Sequence, residues 1–233
     1  MRLHRFYISQ KIDSKKFDIS DKDLVHQWKK VFRYNVGSQV IIFDGSDIDF
    51  LCVITSIRNL GATLEVIGSK ETAKPKNNIF LCVSLLKKDN FELVVQKTVE
   101  IGVSTIIPVI FERSEKKKIN KERLQKIAKE ASEQSGRGDL ANIGDVYEIE
   151  DLLSSGILPQ EKIFFDKNKP PIKNYLQSNT EQHSFALFIG PEGGFSPKDI
   201  EIFEKYNIYG FELGQNTLRA ETASIVSSSL FLI

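Results

Sequence analysis

The sequence predicts a mixed α/β chain in two parts, a small β-rich module followed by a larger domain with a mostly parallel sheet. Three observations predict it. The first seventy residues hold short apolar runs separated by turn signals, with one helix among them. From Ile79 onward, continuous apolar runs alternate with helical patterns. Between these regions lies a polar stretch with a single proline, Gly68 to Asn78.

In the first region, Arg5-Phe6-Tyr7-Ile8 reads as a short strand. Asp21 to Phe32 reads as a helix with Leu24, Val25, Trp28 and Phe32 on one face. Val40 to Phe43 runs into the turn signal Asp44-Gly45, and strand composition resumes from Phe50 to Ile57. Asn59-Leu60-Gly61 is a second turn, and Thr63 to Ile67 a further strand. Short strands with regular turns imply a small barrel, a module that often binds nucleic acid. The polar stretch reads as a linker, which places the barrel at 1–70, the linker at 71–78 and the second domain at 79–233.

Ile79 to Val83 suits a buried parallel strand. Asp89-Asn90-Phe91-Glu92 has the spacing of a capping box, opening a helix that ends at Gly102. Thr105 to Ile110 is the next strand, where Pro108 favours an end or a bulge. Lys121 to Gln134 reads as a helix burying Leu124, Ile127, Ala128 and Ala131, and Gly136 and Gly138 bracket Arg137 where it stops. Lys162 to Phe165 and Phe185 to Ile189 are further strands. Ser196-Pro197 supplies an N-cap and a first-turn proline for a helix through Tyr206. The last helix starts near Arg219, and its small residues, Ala220, Ala223 and Ser227 to Ser229, allow close approach to a neighbour such as another subunit. The chain ends at Ile233, so that helix is expected to be short.

Composition sets bounds. With 41% hydrophobic and 27% charged residues the chain is an ordinary globular protein. No apolar run approaches a membrane span, and the first residues lack the apolar core of a secretion signal, so a cytoplasmic location is expected. Cys52 and Cys82 lie in apolar runs and read as buried free thiols, and His4, His26 and His183 have no metal-ligand spacing. The net charge is only +1, yet residues 1–35 carry nine Lys/Arg against four Asp. Arg113 to Lys129 carries eight Lys/Arg, including Lys116, Lys117 and Lys118, against two Glu. Such patches could neutralise phosphates, although on charge alone a solvated surface face explains them better.

Two loops carry the chemistry. Gly190-Pro191-Glu192-Gly193-Gly194 follows one strand, and Leu213-Gly214-Gln215-Asn216-Thr217-Leu218-Arg219-Ala220-Glu221-Thr222-Ala223 follows another, Ile208 to Leu213. Glycine-rich loops leaving strand ends near helix starts make a cleft in which backbone amides hold a ligand. Neither a dinucleotide G-x-G-x-x-G nor a P-loop is present. Glu192 would repel phosphates, so a neutral or cationic ligand fits better.

These two segments, the helix Lys126 to Arg137 and the start Arg2-Leu3-His4-Arg5-Phe6-Tyr7 resemble the RsmE-type ribosomal RNA uridine-N3 methyltransferases, of the SPOUT class, over essentially the whole chain. The resemblance implies a PUA-like RNA-binding barrel joined to a trefoil-knotted α/β domain, S-adenosylmethionine as methyl donor, and a homodimer without metal. The implied target is a uridine in the decoding region of 16S rRNA within the small ribosomal subunit. By the same match Gly190, Glu192, Gly193 and Gly194 would shape one wall of the donor cleft and Leu213, Gly214 and Leu218 the other, with Thr222 and Ala223 nearby. Arg219 is the candidate for holding an RNA phosphate or steadying negative charge on the uracil, against a surface arginine paired with Glu221 or Glu192. Glu221 is a second catalytic candidate, against a helix-start charge. Arg2, His4, Arg5 and Arg137 would touch RNA, Arg137 equally reading as a helix-end charge or a dimer contact. The alternatives are a SPOUT enzyme acting on transfer RNA or a ribose 2′-hydroxyl, or a non-catalytic RNA-binding assembly factor.

Overall fold

A computed structural model describes residues 3–114, 119–178 and 183–233. The chain divides into two compact units, Met1–Lys74 with Ser132–Leu140, and Pro75–Ala131 with Ala141–Ile233.

The first unit contains β1 (Arg5–Tyr7), β2 (Lys16–Ile19), α1 (Lys22–Lys30), β3 (Gln39–Phe43), β4 (Ile48–Ile57) and β5 (Ala62–Glu71). They form one sheet in the order β1-β3-β4-β5-β2, with β1 parallel to β3 and the other pairs antiparallel. The Asp21 carboxylate caps α1 by accepting the Leu24 N–H at 3.0 Å. Leu24, Val25 and Trp28 are buried against Phe6, Val40, Ile42, Ile54 and Leu64. The helix stops at Lys30, and Phe32 rests on the edge of this core from the loop beyond.

Two differences from the sequence reading arise here. The strand β2 has mixed polarity, Lys-Phe-Asp-Ile, and only Phe17 and Ile19 turn inward, so the run gave too short an alternation to register. The strand β5 also continues through Gly68, Ser69, Lys70 and Glu71, which pair with Leu51 to Ile48. Ladder hydrogen bonds form between backbones and need no apolar side chains, so a polar stretch expected to be a linker is strand as far as Glu71.

The second unit begins with β6 (Asn78–Ser84), α2 (Lys88–Ile101) and β7 (Thr105–Ile110), and α3 (Lys121–Ser135) runs from it into the first unit. It continues through β8 (Asn142–Ile143), β9 (Tyr147–Glu148), α4 (Ile149–Ser154), β10 (Glu161–Phe165) and α5 (Lys173–Ser178). It closes with β11 (Ser184–Ile189), α6 (Pro197–Lys205), β12 (Tyr209–Phe211) and α7 (Ala220–Leu232). The sheet order is β12-β10-β11-β6-β7-β8, with β9 also on β7, and every pairing is parallel.

Both faces of this sheet are covered, as a parallel sheet requires. Phe185, Leu187 and Ile189 of β11 join the core beneath α2, α3 and α7, while Ala186 and Phe188 join the core beneath α4 and α6. Burial raises the thiol of Cys52 to about 12 and that of Cys82 further still, so both sulfurs are inert core groups.

Three local expectations are corrected. The helix α2 starts at Lys88 with no side-chain cap. Asp89 lies within its first turn, and Glu92 binds the Arg123 guanidinium instead of closing a capping box. Pro108 sits inside β7 opposite Val83. Its missing N–H is tolerated because β8 pairs only as far as Ile106 and β9 begins at Val109. The serines of α7 face inward: Ser224, Ser227 and Ser228 are fully buried as the helix packs on α2. Ser224 and Ser228 hydroxyls donate to the carbonyls four residues back, which satisfies them without a partner chain.

Candidate active site

In a parallel sheet all carboxyl ends open on one edge, and loops leaving neighbouring strands there can enclose a ligand. Here β10 lies between β11 and β12, so the loops following all three strands converge. They enclose a cleft of about 580 Å3 within the second unit. Lys87 and Asn90, at the start of α2, complete it from the end of β6.

The first wall is the turn after β11. The Gly194 N–H donates to the Pro191 carbonyl at 2.8 Å, and Gly194 has φ +70°, a backbone region that favours glycine. A side chain at Gly190 would meet the Phe195 ring at 3.1 Å. Phe195 is itself fixed edge-on against Phe111, Phe164 and Phe203. Ser196 then caps α6 in a reciprocal box with the buried Asp199.

A brace from the end of β7 supports this turn. Arg113 donates from Nη1 to the Gly193 carbonyl at 3.0 Å and to the Phe195 carbonyl at 3.4 Å. Asp199 accepts the Glu112 N–H at 3.3 Å, and the Ser114 hydroxyl accepts the Phe111 N–H at 2.9 Å. Arg113 was visible in the sequence only as one cation in a basic run. Its role became legible once the end of β7 lay beside the glycine turn. Arg113→Ala is expected to weaken ligand binding in the cleft about three- to tenfold, losing a charge-assisted bond to the wall. Its melting temperature should stay near that of the parent, since the side chain is exposed. Calorimetry together with a thermal melt would check both.

The second wall follows β12. Lys167, just beyond β10, donates to the Thr217 hydroxyl at 3.1 Å, and the Asp166 N–H donates to the Phe211 carbonyl at 3.0 Å. Leu213 and Leu218 present apolar surface beside Ile189, and Arg219 holds the N-cap position of α7. Arg219 is exposed and, among the described residues, forms no ion pair with Glu192 or Glu221. Glu221 is only 9% exposed, and its Oε2 is buried with no hydrogen-bond partner among the described residues. The cleft thus combines apolar walls and loop backbone with the acidic residues Asp166, Glu192 and Glu221 in its lining, a set that suits an amphipathic ligand carrying positive charge.

Of the residues expected from sequence, Gly190, Glu192, Gly194, Leu213, Gly214, Leu218, Arg219, Glu221 and Ala223 line this cleft. Two do not. Gly193 turns its carbonyl to Arg113, so it acts on the wall from behind. Thr222 is exposed because it follows Glu221 around the helix and points away. Lys87, Asn90, Asp166, Lys167, Asn216 and Thr217 line it without having been singled out. Applying the strand-end rule to β6 and β10 as well would have found most of them.

The basic N-terminal set is also revised. Arg5 donates from Nε and Nη2 to the Asp49 carboxylate at 3.0 and 2.5 Å, from Nη1 to the Ser132 carbonyl and from Nη2 to the Arg137 carbonyl. Its guanidinium lies 4.5 Å over the Phe43 ring, and the side chain is 10% exposed. Arg137 binds Asp139 through Nε and Nη2 at 2.7 and 3.0 Å and is equally covered. Both therefore serve as internal pins of the first unit. His4 is exposed, with its ring 4.5 Å from Phe32. Arg2 and Lys116 to Lys118 lie outside the described residues.

Residues 72–232 match the family model of the RNA methyltransferase domain, and residues 29–67 match that of the RNA methyltransferase PUA domain. The chain is 30% identical over 231 residues to the ribosomal RNA small subunit methyltransferase E of Rickettsia conorii, covering 97% of this chain and 94% of the relative. This chain belongs to the ribosomal RNA small subunit methyltransferase E family. The family member of Bacillus subtilis is 27% identical, covering 91% of this chain and 88% of its own. A Legionella pneumophila structure titled a methyltransferase with the bound cofactor SAM superposes with a TM-score of 0.87 at 25% identity, covering 99% of this chain and 97% of its own. As in the family description, the fold here is a PUA-type sheet unit plus a parallel α/β unit. Among the described residues, no group of His, Cys, Asp or Glu is placed to hold a metal ion, and no helix is long and apolar enough to cross a membrane.

Proposed function

We propose that the chain transfers a methyl group from S-adenosylmethionine to N3 of one uridine in the decoding region of 16S rRNA, within the small ribosomal subunit. The observation that carries this is the single cleft into which the glycine turn after β11 and the Leu213–Ala223 segment both open. The residues present fit the donor: Ile189, Leu213 and Leu218 offer an apolar wall for a flat ring, and the exposed Glu192 in the lining suits a cation.

When bound, S-adenosylmethionine supplies an electrophilic methyl group on a positively charged sulfur. The turn Pro191–Gly194 and the Leu213–Leu218 loop hold and orient the ligand, so that reactants meet in line instead of by chance encounter. Arg219, at the mouth, faces the acceptor and stabilises the negative charge that spreads over the uracil oxygens as N3 loses its proton. That proton leaves at the open side, where Asp166 and Glu192 supply carboxylates. Lys87 and Lys167 add positive charge for the RNA backbone.

The N-terminal module, with a domain boundary near residues 71–78, docks the RNA through its exposed cations and His4. The enzyme works in the cytoplasm as a homodimer. Primer extension across small-subunit rRNA from cells lacking the protein is expected to lose one stop at a uridine, and mass spectrometry of that nucleotide should identify N3-methyluridine. An unchanged stop pattern, or a methyl group on ribose or on transfer RNA, would replace this reading by another RNA target.

A further inference from the structure

We propose that Arg113 takes a phosphate of the target RNA, holding the strand beside the donor cleft while it braces the cleft's wall. This rests on the chain acting on RNA. Arg113 lies in the segment that follows β7, and the glycine turn follows β11, with β6 between those strands. Two strand spacings, about 10 Å, separate the two exits on one carboxyl edge, so Arg113 stands on the edge at which the cleft opens. The backbone is fixed on both sides of it. The Ser114 N–H donates to the Phe111 carbonyl at 3.0 Å, and the hydroxyls of Ser114 and the buried Ser84 lie 2.9 Å apart. The Glu112 N–H donates to Asp199, which is 1% exposed.

The side chain is fixed as well, yet only in part used. Nη1 donates to the Gly193 and Phe195 carbonyls. The N–H groups of Nε and Nη2 remain, and none of the described residues accepts from them. Carbonyl oxygens orient the guanidinium but carry no net charge, so its positive charge is not neutralised. Other cations of the same basic run differ: Lys121 pairs with Asp145, and Arg123 with Glu92.

Nε and Nη2 form the side edge of the fork, which matches two oxygens of one phosphate. An exposed arginine normally loses side-chain freedom on binding, whereas here the group is oriented before any ligand arrives. Lys87, Lys167 and Arg219 line the cleft on the same edge, so a strand running along it meets cations on both sides of the acceptor base. One planar group then touches both halves of the reaction, the turn that holds the donor and the strand that carries the acceptor. Phosphate contacts set register without reading sequence, so the contribution is to placing the uridine over the donor.

The test is binding of the full chain to small ribosomal subunits from cells lacking it, across about 50 to 200 mM potassium chloride at fixed magnesium. The native protein is compared with Arg113→Gln, which removes the charge but keeps an N–H for the wall, and with Arg113→Lys. Arg113→Gln is expected to weaken subunit binding about five- to tenfold at the lowest salt. It should also flatten the slope of log affinity against log salt by about 0.7 to 0.9, the contribution of one phosphate. Arg113→Lys, a point charge without the fork, should keep the native slope and recover part of the affinity. A role confined to the wall cannot change the slope. Native binding in Arg113→Gln would overturn the proposal, and so would weaker binding with the native slope. A native chain that bound no subunits would remove the RNA reading itself, a separate outcome. If Arg113→Gln melted well below the native chain, Arg113→Ala would take its place, and a native slope there would equally overturn the proposal.

Discussion

Replacing Arg219 by alanine is expected to lower methyl transfer about 10²- to 10³-fold, the usual cost of removing one group that stabilises charge in a transition state. Donor affinity should stay within about threefold, because the donor's own contacts come from loop backbone and apolar walls. The side chain is exposed at the N-cap position of α7, beside the cleft and free of Glu192 and Glu221, so none of the described residues pairs with its charge. Its loss should leave the fold intact. Transfer of labelled methyl to small ribosomal subunits, paired with calorimetry of donor binding, separates the two quantities. Parallel losses in rate and affinity would move Arg219 to the donor side of the cleft.

Gly194→Val is expected to weaken donor binding by at least about thirtyfold with only a modest loss of stability. A β-branched residue at φ +70° is strongly disfavoured, so the turn closed by the Gly194 N–H and the Pro191 carbonyl must rearrange. Space is not the obstacle, since a Cβ built at Gly194 meets nothing within 4 Å. The strain therefore falls on backbone shape, the property a ligand held by loop amides depends on. Binding at native strength in this variant would show that the turn does not hold the ligand. Gly193→Ala is a useful control: that residue has no left-handed φ, and an added Cβ would lie 3.7 Å from Arg113.

The sequence carried the fold where a periodic signal was long. Continuous apolar runs at Ile79–Val83 and Phe185–Ile189 mark the two central strands, because both faces of a parallel sheet are buried. Ser196-Pro197 announced the start of α6, because capping chemistry is local. What stayed hidden depends on contacts between distant residues. Nothing in the run Lys16–Ile19 reveals an edge strand until β5 lies beside it. Arg5 and Arg113 are cations in a string, and only tertiary structure shows that one is spent on Asp49 and the other on the glycine turn. Composition left the reading of α7 open: small side chains permit close packing but do not say against what, and within the chain a neighbour is α2.

That neighbour relation reaches the chemistry. Lys87 and Asn90 stand at the beginning of α2, while Arg219 and Glu221 stand at the beginning of α7, so the two rods that meet along buried serines also carry opposite jaws of the cleft. Ser228 lies roughly a dozen ångströms along α7 from these residues and is fully buried. A larger side chain at that distant point would act like a wedge under a hinge, altering how wide the jaws stand without touching anything they hold.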